Sequence, residues 1–196
     1  QFLTSALQGA GRTAVATGNI GYPLSDAILS PENTNQAYAI CEISSFQAEL
    51  PFGLILDGLI WSNFAEDHLD RYSSMSDYFF AKARLFGCLT SDASCVLSED
   101  VAHWMNLMKS DFNAYSIVHA DSKLVARLHP DSPFLNFPYS ENFALAAELW
   151  WMLDLPTDAL IESANTFKLP PHRLTLELEC NGVRFWNDSK ATNFHA

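Results

Sequence analysis

Cationic side chains are scarce in this chain: 11 Lys plus Arg stand against 23 Asp plus Glu, a formal net charge of -12. Such a balance repels polyphosphate backbones and argues against non-specific nucleic-acid binding, so an anionic ligand would need cations gathered locally. Cysteine is sparse too. Cys41, Cys88, Cys95 and Cys180 form no Cys-x-x-Cys pair and no His/Cys cluster at zinc spacing. This excludes a sequence-legible zinc site or disulfide framework and leads us to expect free thiols in a reducing cytosol. No apolar run approaches the roughly 20 residues that span a bilayer. Nothing resembles a secretion signal, and there are no repeats, linkers or low-complexity stretches. The motifs Gly-x-Ser-x-Gly, His-Glu-x-x-His and Gly-x-Gly-x-x-Gly are missing. The one glycine-rich stretch, at 9–12, lacks the strand and the Lys-Ser/Thr of a phosphate loop.

What remains is globular material: 196 residues, 48% hydrophobic and 17% charged, enough for one domain or a piece of a larger enzyme. The opening QFLTSALQGAGR has the pattern of the back half of an amphipathic helix, with Phe2, Leu3, Ala6 and Leu7 on one face. No initiator Met precedes it and KATNFHA closes no element, so the chain reads as an excised central piece. Short apolar runs at 13–21, 37–47 and 53–63 have the character of parallel strands buried on both faces. A helix is expected around 23–30, another across 74–89, then a short strand at 94–98. A further helix at 98–108 is opened by Ser98 with Glu99 and Asp100 in its first turn. The stretch 114–130 reads as two short polar strands joined by a turn, an antiparallel appendix. Residues 142–154 and 156–167 are helical, and 174–188 form a hairpin around the Asn181-Gly182 turn. Alternating strands and helices define an α/β, doubly wound, mostly parallel sheet, whose ligands belong at the carboxyl ends of the strands.

That rule selects candidates. Asn19 follows the first run, Glu42 and Ser44 the second, Asp67 and His68 the third, and Asp188 with Lys190 the last. Singly, each is an ordinary strand-end residue; together they predict one crevice. Glu42 and His68 can share a hard cation such as Mg2+ from neighbouring strands, although the run NFAEDHLDRY also suits a solvated acidic loop. Lys82 lies one helical turn after Tyr78, among Phe79, Phe80, Leu85 and Phe86. Such a lysine either extends its ammonium to water or loses the proton, and a neutral amine can take up CO2 as a carbamate. Arg173, on the turn after Pro170-Pro171, offers a planar donor fork suited to phosphate or to a surface ion pair. Asp188 and Lys190 share a face if their strand continues. His103, His119 and His129 show no partner pattern.

The blocks GNIGYPL, EISSFQAE, EDHLDRY followed by Tyr78-Phe79-Phe80-Ala81-Lys82, LPPHR and GVRFWNDSKATN resemble the Mur ligases in the same order. EISSFQ and NDSKATN resemble the members that add D-glutamate. The likeness implies a central ATPase domain with a P-loop-NTPase-like fold over 1–187 and the start of a linker to a further domain at 188–196. It also implies a phosphate loop upstream of Gln1. It implies a bacterial, cytoplasmic, monomeric enzyme of peptidoglycan synthesis using ATP and Mg2+, in two sites. That enzyme would join D-glutamate to UDP-N-acetylmuramoyl-L-alanine through an acyl phosphate. The fragment itself should then be inactive and, without a central strand, carry a bared sheet edge. By resemblance, Asn19, Ser44 and Thr192 approach substrate, and Glu42, His68 and carbamylated Lys82 hold metal, Asn19, His68 and Lys82 being catalytic. Asn142, Arg173, Asp188 and Lys190 serve the nucleotide. The chain departs from the family at Pro138-Tyr139, where a His-Asn pair is usual, and at Leu174-Thr175, where an aromatic and an acid are. A ligase for another amino acid, or a non-catalytic nucleotide-binding module, are the alternatives.

Overall fold

A computed structural model of the chain describes residues 1–118 and 122–191. Parallel strands flanked by helices form its body, and they fall into two sheets. Strand β1 (Ala14–Gly18) pairs in parallel with β2 (Tyr38–Glu42), from Ala14 opposite Tyr38 to Gly18 opposite Glu42. Strand β3 (Leu56–Trp61) pairs in parallel with β4 (Leu89–Leu97), which in turn pairs in parallel with β5 (Ser116–Ile117). The crossover helices are α2 (Leu24–Leu29), the short α3 (Ser45–Ala48), α4 (Met75–Ala83) and α5 (Glu99–Leu107). They begin where the sequence supplies caps: the hydroxyls of Ser44, Ser74 and Ser98 accept from the backbone N–H three residues on.

The core follows from the periodicities. Helix α1 (Phe2–Gly9) turns Ala6 and Leu7 inward against α7 (Tyr139–Met152) and α8 (Thr157–Thr166), around Phe134, Phe143, Trp150 and Leu160. A second cluster fills the space between β3, β4, α4 and α5 with Trp61, Phe64, Phe79, Cys95, Leu97 and Met105. Cys95 and Leu97 face this cluster, whereas Val96 points to the opposite side onto Leu145 and Leu149 of α7, as a two-residue period requires. Helix α7 therefore packs on the β3–β4 sheet with one face and joins the cluster of α1 and α8 with the other.

Three expectations need correcting. The segment 114–130 is not a pair of antiparallel strands: β5 is two residues long and parallel to β4, and α6 (Ser122–Val125) follows the undescribed residues 119–121. The reason is legible afterwards, since Leu124 and Leu128, both buried in the first cluster, have helical rather than alternating spacing. Among the described residues the antiparallel element is the hairpin alone, β6 (Thr175–Cys180) with β7 (Val183–Asn187). The strands are also less enclosed than their apolar runs suggest. No residue of β2 is fully buried, because no ladder joins β2 to β3 among the described residues. Finally, β4 starts five residues earlier than the run at 94–98.

Candidate functional site

The carboxyl ends of β1 and β2 bring Asn19 and Glu42 together. The Asn19 backbone N–H donates to the Glu42 carbonyl at 2.8 Å, and its side-chain amide reaches the Glu42 carboxylate at 3.4 Å. This approach depends on Gly18, which has a left-handed φ of +114° and passes so close to β2 that an added Cβ would lie 2.1 Å from the Glu42 carbonyl oxygen. Ser44 opens α3 two residues on. Its side chain accepts from the Gln47 N–H at 3.2 Å while Gln47 Oε1 accepts from the Ser44 N–H at 2.9 Å. The Ser44 hydroxyl is thus engaged in a capping box.

Phe46, on the same short helix, sets its ring 4.9 Å from His68. His68 adopts a left-handed φ of 54°, which turns its backbone N–H onto the Asp67 carboxylate at 2.8 Å and leaves Nδ1 3.7 Å from the same oxygen. Tyr78 lies edge-on to His68 at 5.9 Å, and the Lys82 ammonium sits 5.2 Å from the Tyr78 ring centre. Burial lowers the Lys82 pKa, with Asp67 pulling it back up. Burial, then the charge of Asp67, pushes the Tyr78 hydroxyl up to about 12. His68, Lys82, Asp67 and Tyr78 therefore form one partly desolvated group, connected through Phe46 to the helix that follows Glu42.

Sequence reading overlooked the clamp beneath this group. Arg71 grips Glu49 with two bonds, Nε to Oε1 at 3.0 Å and a terminal nitrogen to Oε2 at 2.7 Å. Tyr72 donates to Glu49 at 2.7 Å, and Arg84 donates to the Glu49 carbonyl. The Arg71 guanidinium also covers Phe46 at 4.8 Å. Only tertiary proximity reveals it, because Glu49 and Arg71 stand 22 residues apart. The Arg71 and Tyr72 hydrogen bonds hold the Glu49 carboxyl below its usual range. The clamp's contribution is accordingly present above the ordinary carboxylate range and is lost as pH falls through the lowered value. We expect Glu49→Gln to flatten that part of the acid limb, read from melting temperature against pH. A limb identical to that of the unsubstituted chain would remove the clamp from the stability account.

A third group lies at the hairpin. The Asp188 carboxylate accepts from the Leu174 N–H at 3.1 Å, the Lys190 N–H donates to the His172 carbonyl at 3.2 Å, and the Tyr139 hydroxyl donates to the Arg173 carbonyl at 3.0 Å. Asn142 is exposed one turn into α7, close in sequence to Tyr139. Asp188 and Lys190 do not continue a strand. β7 ends at Asn187, and the Ala191 N–H closes a turn on the Asp188 carbonyl. Thr192 and His119 lie outside the described residues. His129 pairs on the surface with Asp131 at 3.4 Å, and His103 is exposed.

Among the described residues no three or more His, Cys, Asp or Glu side chains make a ready metal cage. Mg2+ keeps several waters and takes one or two carboxylates beside substrate phosphates. Glu42, with an open carboxylate beside Asn19, fits that donor chemistry, and Lys82 would fit it as a carbamate, whose oxygens replace the amine nitrogen.

Parallel strands with helical crossovers and polar groups at the strand tips define an α/β domain, whose ligands belong at the carboxyl ends of the strands. Residues 4–136 match the model of the Mur ligase middle domain, and the chain belongs to that family. It is 34% identical over 195 residues to the UDP-N-acetylmuramoylalanine--D-glutamate ligase of Sphingopyxis alaskensis, covering 95% of this chain and 42% of that protein. With the enzyme of the same name from Chlamydia caviae it shares 32% identity, covering 97% of this chain and 43% of that one. The chain thus spans less than half the length of these relatives. A crystal structure of MurF from Acinetobacter baumannii, 13% identical, shares the fold with a TM-score of 0.62 over 95% of this chain and 47% of that one. No described helix is long and apolar enough to cross a membrane.

Proposed function

We propose that residues 1–187 form the ATP- and Mg2+-handling domain of a longer, monomeric, cytoplasmic ligase of bacterial peptidoglycan synthesis, with 188–196 beginning the link to its next domain. The whole enzyme joins D-glutamate to UDP-N-acetylmuramoyl-L-alanine. The observation that carries this reading is the 34% identity to a D-glutamate ligase across 95% of the chain.

The substrate carboxylate attacks the γ-phosphorus of ATP, giving an acyl phosphate and ADP, and the D-glutamate amine then displaces phosphate to leave the amide. Both steps bring anions together in a protein of charge -12, so local cations and fixed dipoles decide the barrier. Bound Mg2+ supplies charge neutralisation at the phosphates. Glu42, His68 and the carbamate of Lys82 hold it, in two sites. Burial lowers the Lys82 pKa and so favours its amine form; that amine adds CO2 through its nitrogen and releases one proton, leaving a carboxylate in place of a group that would otherwise repel the metal. Asn19 orients Glu42 and presents its amide to the substrate, with Ser44 and Thr192 nearby. Arg173, Asp188, Lys190 and Asn142 bind the nucleotide.

Two tests follow. The full-length protein, given ATP, Mg2+ and UDP-N-acetylmuramoyl-L-alanine, should incorporate D-glutamate in preference to other amino acids. Preference for another amino acid would make it a sister ligase, and no turnover with an upstream loop lacking Gly-Lys-Ser/Thr would make it a non-catalytic nucleotide-binding module. Arg173→Lys replaces a planar fork with a point charge, so the Kd for ATP should rise about tenfold. An unchanged Kd would remove Arg173 from the nucleotide site.

A further inference from the structure

Residues 172–174 form a turn that is costly to hold. His172 and Leu174, neither of them glycine, both take left-handed φ values, 65° and 45°. Backbone of this kind persists where its surroundings over-determine it. Here each of the three residues has a backbone group held by a different partner. The His172 carbonyl accepts from Lys190 at 3.2 Å, the Leu174 N–H donates to Asp188 at 3.1 Å, and the Arg173 carbonyl accepts from the Tyr139 hydroxyl at 3.0 Å. The first two partners come from the segment just past the hairpin. Tyr139 alone reaches across from the body of the domain. It stands at the first position of α7, the helix whose Phe143 and Trp150 are locked into the core and whose Leu145 and Leu149 pack on the other sheet. Meanwhile the Arg173 side chain makes no hydrogen bond or ion pair among the described residues. Its backbone is fixed and its fork is left open.

We propose that Tyr139 is a positioning residue for Arg173, anchoring the turn to α7 so that the guanidinium is presented to the nucleotide phosphates in one orientation. The proposal deepens the ATP-site reading and rests on it. A ring without the hydroxyl keeps the packing and loses the tie, so the consequence falls on the order of Arg173 rather than on the fold. Pre-organisation of this sort changes binding because the unsubstituted protein spends no binding energy on ordering the turn.

The experiment is a double-mutant cycle in the full-length protein on Tyr139→Phe and Arg173→Ala, following KM for ATP, kcat and melting temperature. Tyr139→Phe should raise KM for ATP about three- to tenfold, the loss of one neutral hydrogen bond, with kcat and melting temperature nearly unchanged. Its effect should vanish in the Arg173→Ala background, because the tie has then nothing to position. Three results would overturn the proposal: an unchanged KM in Tyr139→Phe, an equal increase in both backgrounds, or a fall in melting temperature with kcat and KM unaltered. If Arg173→Ala itself leaves KM for ATP unchanged, the nucleotide reading of the turn fails as well. If only Tyr139→Phe is silent, that reading survives and the positioning role alone is lost.

Discussion

Replacing Lys82 with Ala in the full-length protein should lower kcat of the proposed ligation by about a hundredfold or more, since several kcal/mol of charge stabilisation are lost at tenfold per 1.36 kcal/mol. Short carboxylic acids should restore part of the rate by standing in for the carbamate. Lys82 also separates function from stability. Its pKa is lowered by burial, so the folded state disfavours the ammonium that the unfolded chain retains. Stability therefore rises as pH increases from the lowered value toward the ordinary lysine range. Below that window Lys82→Met should melt no lower than the unsubstituted protein while losing the same activity. In protein equilibrated with 13C-labelled bicarbonate, a carbamate resonance should grow with pH through the same window and be missing from the variant. Full turnover in Lys82→Ala, with no such resonance in the unsubstituted protein, would reduce Lys82 to a helix lysine beside Tyr78.

Gly18→Ala should be the most damaging single methyl group. The added carbon would sit 2.1 Å from the Glu42 carbonyl oxygen, 2.8 Å from its nitrogen and 2.9 Å from the Cys41 sulfur, at a φ of +114°. Two of those atoms are backbone and cannot swing aside, so either β1 leaves β2 or the Asn19–Glu42 contact opens. Overpacking plus an unfavourable backbone costs about 3 kcal/mol, equivalent to roughly 6–12 °C in Tm for a domain of this size. Activity should fall further than the unfolded fraction explains, because the displaced atoms belong to Glu42. A Tm within a degree or two of the unsubstituted protein would show that β1 and β2 are less closely apposed than described.

Much of this architecture is legible in the residues. Apolar runs ending in Asn19 and Glu42 locate the tips of β1 and β2, because a strand packed by its neighbours must be apolar and its end need not be, whereas His68 lies on the loop beyond the end of β3 at Trp61. The Asn181-Gly182 turn fixes the hairpin and Ser98 announces α5 through its cap, whereas the apolar run at 37–47 hides the short helix that Ser44 caps. What was not legible depends on contacts distant in sequence. The run at 114–130 looked like strands because its β-branched residues Ile117, Val118 and Val125 outweigh the helical spacing of Leu124 and Leu128. Glu49 gave no sign that it would meet Arg71, nor Tyr139 that it would meet the Arg173 carbonyl. Asp188 and Lys190 share a face only if the strand continues, and the chain turns after Asn187. The site residues follow a simpler logic than the clamp that supports them: tips are set by local pattern, supports by packing.

Diffraction from the full-length protein with a non-hydrolysable ATP analogue and Mg2+ tests the account most directly. It predicts the triphosphate between the β1–β2 tips and the hairpin turn, with Arg173 on phosphate, Mg2+ on Glu42, His68 and the phosphates, and extra density for a carbamate on Lys82. Nucleotide bound elsewhere, or Lys82 unmodified and turned away from the metal, would contradict it.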